Sequence, residues 1–119
     1  MNDHTHTAIR DDNSQPVPLD RDGYLKHLDD WSETVAEQLA AAEGITMTPA
    51  HWEIIRVLRA FYQETQHSPA NRALARLIAR ELGAEKGRSI YLMSLFRGRG
   101  SPALLSTRIA GLPRPRNCF

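Results

Sequence analysis

The chain has 119 residues, 41% of them hydrophobic, with a net charge of +1 and a single cysteine. These values support one domain with a modest core, and they exclude a two-lobed enzyme with a deep cleft and a disulfide scaffold. No apolar run approaches the roughly 20 residues of a membrane span, and the polar start lacks a secretory signal, so we expect a soluble cytoplasmic protein without membrane contact.

The first 18 residues are polar and contain Pro16 and Pro18, which predicts a disordered or partly extended start. Asp22-Gly23 is a turn signal. It predicts a small β-hairpin or a lead into Tyr24 and Leu25, which have the character of core anchors.

Apolar residues at helical spacing predict five helices, over residues 30–42, 48–66, 68–82, 88–96 and 101–110. Asp29 is the expected N-cap of the first helix. Three later helices start with a hydroxyl residue followed by proline, at Thr48-Pro49, Ser68-Pro69 and Ser101-Pro102. The sequence therefore predicts a mainly α fold, a compact bundle of about five helices with a small N-terminal β-hairpin, over residues 19–110.

Charge is distributed unevenly along the chain. Residues 1–67 carry five Lys/Arg and twelve Asp/Glu, a net charge of −7, whereas residues 68–119 carry ten and two, a net charge of +8. Such a basic half favours an acidic partner, either nucleic acid or protein. A solvated face neutralised by the acidic half is the alternative, and the sequence leaves both open.

Residues 111–119 contain Pro113 and Pro115, which forbid a helix and favour a mobile, extended C-terminal arm. The seven residues from Gly111 to Cys118 span roughly 23 Å when extended. Cys118 is the only cysteine and the next-to-last residue of the sequence. A thiol at the tip of such an arm suits delivery into the active site of another protein.

The thiolate is the reactive form of cysteine, and Arg114 and Arg116 lie close enough in sequence to favour it. These arginines are also expected to guide the arm into an acidic channel of a partner. The alternative is an incidental exposed thiol on a tail that the arginines keep soluble. We expect no cofactor and no metal site, because His4 and His6 are a poor signal and His51 has the character of a packed or capping residue.

Several stretches match one known family in order: Asp22-Gly23-Tyr24-Leu25, Trp31-Ser32-Glu33, Glu43-Gly44-Ile45, Thr48-Pro49-Ala50-His51-Trp52-Glu53, Ser68-Pro69-Ala70-Asn71-Arg72, Glu85-Lys86-Gly87, and Ile109-Ala110-Gly111-Leu112-Pro113-Arg114-Pro115 followed by Cys118. The chain resembles the DsrC/TusE family of sulfur carriers from about residue 19 to the end. The resemblance implies a helical fold with a small hairpin and a mobile arm. It also implies that Cys118 accepts sulfur as a persulfide, which makes the protein a sulfurtransferase.

DsrC proteins of dissimilatory sulfur metabolism have a second arm cysteine, eleven residues upstream, where Thr107 stands here. The single cysteine therefore resembles the TusE-like members. They imply a TusBCD-like sulfur donor complex, an MnmA-like tRNA thiolase as acceptor, and 2-thiouridine at the tRNA wobble position as the product. Arg108, Arg114 and Arg116 are the expected partner contacts.

Two other functions stay open. The helices from Thr48 and Ser68 suit a helix-turn-helix that binds nucleic acid, with Arg72, Arg76 and Arg80 forming one basic ridge on the second of them. The same carrier chemistry also suits sulfur oxidation or another acceptor.

Overall fold

The computed structural model describes residues 8–116. Within them lie five α-helices and, before the first, one turn of 3-10 helix at Leu28–Asp30. The helices are α1 (Glu33–Ala41), α2 (Pro49–Thr65), α3 (Asn71–Leu82), α4 (Ser89–Leu95) and α5 (Pro102–Ile109). The predicted mainly α bundle of about five helices is confirmed. No helix in the described part is long and apolar enough to cross a membrane.

Helix α5 is the centre of the bundle, since it packs against each of the other four helices. Its buried residues are Ala103, Leu105, Ser106, Thr107 and Ile109. Ala103, Leu105 and Ile109 belong to one hydrophobic core with apolar side chains from every other helix, including Val35, Ile54, Leu58, Ile78 and Leu92. A short helix surrounded in this way depends on tertiary packing rather than on helix propensity, so the end of α5 has a fixed position in the molecule.

Helix starts follow the sequence signals in two of three cases. Thr48 and Ser101 precede α2 and α5 in extended conformation, and proline occupies the first helical position of each. The Ser101 side chain accepts from the Leu104 N–H, as an N-cap does. The predicted start at Ser68-Pro69 is wrong, because α3 begins at Asn71.

The predicted N-terminal β-hairpin is also wrong. The described residues contain only two isolated antiparallel bridges, Arg10 to Pro16 and Leu19 to Leu25. Prolines 16 and 18 lack the N–H groups that successive ladder bonds need. The Asp20 carboxylate instead accepts from the N–H groups of Asp22 and Tyr24 and closes a tight turn.

Residues 8–18 lie along the helical body, although their polarity favours a disordered or extended start. Ile9 and Val17 are buried in the core. The Gln38 side chain of α1 accepts from the Arg10 N–H over 2.9 Å and donates to the Arg10 carbonyl over 2.6 Å. These contacts attach the segment to α1.

Candidate functional site

The root of the C-terminal arm is a defined turn at the end of α5. Gly111 adopts a left-handed conformation with φ +73°. Its N–H donates to the Arg108 carbonyl over 3.0 Å, and the Leu112 N–H donates to the Thr107 carbonyl over 3.1 Å. This pair of bonds is a Schellman cap. Gly111 and Leu112 are both buried, so the chain leaves α5 in one direction.

Two side chains from other parts of the fold complete this cap. The Trp31 indole N–H donates to the Ile109 carbonyl over 2.8 Å, and an Arg59 N–H donates to the Ala110 carbonyl over 2.7 Å. The Arg59 guanidinium carbon lies 3.8 Å from the centre of the Trp31 ring. We call these two residues the Trp31–Arg59 clamp. Burial lowers the pKa of Arg59, and the aromatic face and the carbonyl offset this loss of hydration.

Close packing of Trp31 explains the glycine at the turn. A Cβ atom on Gly111 would lie 2.2 Å from Trp31 Cδ1, far inside van der Waals contact. Position 111 therefore needs glycine for two reasons. Glycine adopts the left-handed conformation without strain, and the Trp31 indole leaves no room for a Cβ atom.

A second cluster joins the arm to the turn at residues 20–23. Arg108, on α5, forms an ion pair with Glu43, and both side chains are less than a fifth exposed, at 18% and 17%. Arg108 also donates to the Asp22 carbonyl over 3.2 Å and lies 5.9 Å from the Tyr24 ring centre. Arg114 donates to the Asp22 carboxylate over 3.4 Å.

The structure thus brings two of the predicted site residues together, since Arg108 and Arg114 both contact Asp22. With Arg99 they line a cavity of about 150 Å³. Arg116 is exposed and lines another cavity with Arg114, His67 and the end of α2. Cys118 lies outside the described residues, as do His4 and His6.

Part of the predicted arm packs on the body. Leu112 and Pro115 are buried, whereas Pro113, Arg114 and Arg116 are exposed. From Pro115 to Cys118 is three residues, which bounds the reach beyond Pro115 to about 10 Å. To extend the whole arm of about 23 Å away from the body, Leu112 and Pro115 would have to leave their packed positions.

Sequence reasoning missed the Trp31–Arg59 clamp and the role of Glu43. It assigned Trp31 to the apolar stripe of the first helix, whereas Trp31 precedes α1 in extended conformation. The sequence gives one signal for this clamp, since Arg59 is a basic residue on the apolar side of α2. The sequence holds no signal that pairs Arg59 with residues 31 and 110.

His51 is a structural residue, as predicted. Its Nδ1 accepts from the Thr48 N–H over 3.1 Å, and its Nε2 lies 2.8 Å from the Leu95 carbonyl. A carbonyl only accepts, so Nε2 carries the hydrogen. Both ring nitrogens are occupied, which leaves His51 no free group for catalysis.

The structure has part of the geometry that a helix-turn-helix needs. Residues 66–70 join α2 to α3, and Arg72, Arg76 and Arg80 are exposed. However, the Asn71 carboxamide, at the first position of α3, accepts from the Ala103 N–H over 2.9 Å. The end of α3 that would enter a DNA groove is therefore attached to α5.

Comparison with known proteins identifies the family. The sequence matches the family described as "DsrC like protein" over residues 12–119. The chain belongs to this family. Its relatives include proteins named "Sulfurtransferase TusE". The one from Yersinia pestis is 51% identical, over 87% of this chain and 93% of its own. The one from Escherichia coli K12 is 46% identical, over 87% of this chain and 93% of its own. On these relationships the chain is a sulfurtransferase of the family.

Solved structures agree with the helical fold. The NMR structure of Allochromatium vinosum DsrC has a TM-score of 0.81 and 42% identity, covering 94% of this chain and 97% of its own. The oxidised γ-subunit of dissimilatory sulfite reductase (DsrC) from Archaeoglobus fulgidus has a TM-score of 0.72 and 33% identity, covering 89% and 95%. The resemblance seen in the sequence is confirmed, and a sulfur-carrier role follows from it.

Proposed function

We propose that the protein accepts sulfur on Cys118 as a persulfide and relays it, in the cytoplasm, for 2-thiouridine synthesis in tRNA. The observation that carries the proposal is the family match, which extends over the arm to residue 119. The relatives named TusE support the tRNA branch of the family. A TusBCD-like complex is the proposed donor, and an MnmA-like thiolase is the proposed acceptor.

The chemistry is thiol–persulfide exchange in two steps. The Cys118 thiolate attacks the terminal sulfur of the donor persulfide; a new S–S bond forms on Cys118, the donor S–S bond breaks, and the electron pair leaves with the donor thiolate. An acceptor thiolate then attacks the terminal sulfur on Cys118 and releases the Cys118 thiolate. Each step exchanges one S–S bond for another, so no external oxidant or reductant is needed.

Thr107 supports relay by one thiol. It lies inside α5, fully buried, at the position where DsrC proteins with two arm cysteines have the second one. With a single cysteine in the sequence, sulfur on Cys118 has no internal thiol to attack it. The persulfide is then released only to a partner, which is the property that a carrier needs.

The three arginines have different proposed roles. Arg114 and Arg116 are exposed and are the proposed direct contacts with an acidic partner. Arg108 is mostly buried against Glu43, so we assign it to holding the arm root beside Asp22.

The test is the 2-thiouridine content of cellular tRNA. Cells that express Cys118→Ser as the sole copy should lose the modification, whereas Arg108→Lys should retain most of it. Full 2-thiouridine in the Cys118→Ser cells would refute the tRNA role. Transfer from the same purified protein to a different thiol acceptor would then assign the carrier to sulfur oxidation or another pathway.

A further inference from the structure

Helix α4 presents an apolar pair to solvent. Ile90 is 74% exposed and Met93 is 56% exposed, and residues three apart share one face of a helix. The opposite side of α4 carries Leu92, which is buried in the core with Phe96. The exposed pair therefore takes little part in packing the core.

Met93 borders a groove of about 340 Å³ between α4 and the starts of α3 and α5. The other lining residues are Asn71, Ser89, Leu92, Ser101 and Pro102. The bond from the Ala103 N–H to the Asn71 side chain fixes the two helix starts relative to each other. An apolar side chain entering this groove would meet a preformed wall, which lowers the entropy lost on binding.

Two exposed arginines follow α4 in the sequence, close to the groove residues Met93 and Ser101. Residues 86–119 contain seven Lys/Arg and no Asp/Glu, and four of the seven, Lys86, Arg88, Arg108 and Arg114, pair with carboxylates outside this stretch. Arg97 and Arg99 follow α4 directly and are exposed, and neither forms an ion pair within residues 8–116. We call Ile90, Met93, the groove and these two arginines the α4 face.

The α4 face adjoins the arm root through the loop before α5, because Ser101, which lines the groove beside Met93, follows Arg99 by two residues. Arg99 lines the same cavity as Arg108 and Arg114. A protein that receives the arm beside Arg114 is therefore in reach of Arg99 and of the apolar pair beyond it.

We propose that the α4 face docks an acidic protein surface with an apolar residue at its centre, on the partner that exchanges sulfur with the arm. Exposed apolar side chains flanked by arginine have the composition of protein interfaces. A second copy of this chain is disfavoured, because it would bring two basic faces together. Nucleic acid would contact the arginines through its phosphates but would not bury Ile90 and Met93. The proposal rests on the proposed function for its choice of partner.

The test compares Ile90→Ala/Met93→Ala with the wild-type chain and with Leu28→Ala. Leu28 is also an exposed apolar residue, at 38%, and does not line the groove. Dissociation constants are measured for the purified TusBCD-like donor, the purified MnmA-like thiolase and tRNA alone. Sulfur loading of Cys118 is measured at saturating donor.

The expected result is that the double variant binds one of the two proteins at least about tenfold more weakly, with Leu28→Ala unchanged and loading at saturation retained. Unchanged affinity for both proteins would overturn the docking proposal, and so would a loss confined to tRNA. The carrier proposal and the docking proposal can be refuted independently of each other. Unloaded Cys118 in the wild-type chain refutes the carrier, whereas unchanged dissociation constants refute the α4 face.

Discussion

Trp31 donates its indole N–H to the carbonyl of Ile109 over 2.8 Å, so a residue ahead of α1 caps the last turn of α5. Arg59 stacks on the same indole and binds the next carbonyl along the chain. Because α5 packs against every other helix, these contacts fix where the C-terminal arm begins. The helical body thus serves as a rigid base for the arm that bears Cys118.

Gly111→Ala should lower the free energy of unfolding by about 3 kcal/mol. Its left-handed φ costs an L-residue about 1–2 kcal/mol, and the new Cβ meets Trp31 Cδ1 at 2.2 Å, which adds about 1–3 kcal/mol. Urea denaturation measures the change. Gly44→Ala is the control, with φ +76° and no atom within 4 Å of the added Cβ. Equal losses in the two variants would contradict close packing at the arm root.

Trp31→Phe keeps an aromatic ring beside Arg59 but removes the donor to Ile109. We expect the free energy of unfolding to fall by about 1–2 kcal/mol more than the smaller apolar area accounts for, because a carbonyl at the end of α5 loses its hydrogen-bond donor. Trp52→Phe, on a tryptophan that packs against the core, measures the effect of the smaller ring alone. A cost for Trp31→Phe no greater than that of Trp52→Phe would show that the hydrogen bond contributes nothing.

The Glu43–Arg108 ion pair should show a coupling energy of about 1–3 kcal/mol in a double-mutant cycle of Glu43→Gln and Arg108→Gln. Low exposure reduces screening of the pair by solvent. The exposed Arg80–Glu81 pair, at 67% and 47%, should give about 0.5 kcal/mol or less. Coupling that disappears at 1 M salt would mean that the Glu43–Arg108 pair is screened like a surface pair.

Thr107→Val should raise the free energy of unfolding by about 1 kcal/mol. The Thr107 hydroxyl is buried without a hydrogen-bond partner in the described part of the chain, and valine has the same shape without the polar atom. Ser106→Ala is the matched control in the same helix. It should cost about 1 kcal/mol, since the Ser106 hydroxyl donates to the Pro102 carbonyl over 2.6 Å. Effects of the same sign would contradict this difference.

Local signals predicted the helices well where local chemistry decides the start. Thr48-Pro49 and Ser101-Pro102 precede helices as expected, but the similar Ser68-Pro69 does not, since α3 starts at Asn71. That start coincides with the bond between Asn71 and α5, a tertiary contact that no local pattern encodes. Likewise α1 has Ser32 as its N-cap rather than Asp29. The extended backbone at Trp31 directs its indole to α5.

The candidate site was predictable only in part for the same reason. Position in the arm indicated Arg114, and position just before the arm indicated Arg108; both contact Asp22. Their other neighbours are distant in sequence, with Glu43 65 residues from Arg108. Arg59 lies 51 residues from Ala110. Spacing rules apply within one helix or one turn, so they give no information about such pairs.

The most direct test of the sulfur-carrier account is the intact mass of the purified protein after incubation with a persulfide-loaded donor. The wild-type chain should gain one sulfur atom, mapped to Cys118 by peptide mass spectrometry and removed by a thiol reductant. Cys118→Ser should gain none while keeping the wild-type circular dichroism spectrum and urea midpoint. A wild-type chain that gains no sulfur, or a serine variant that gains it equally, would contradict the account.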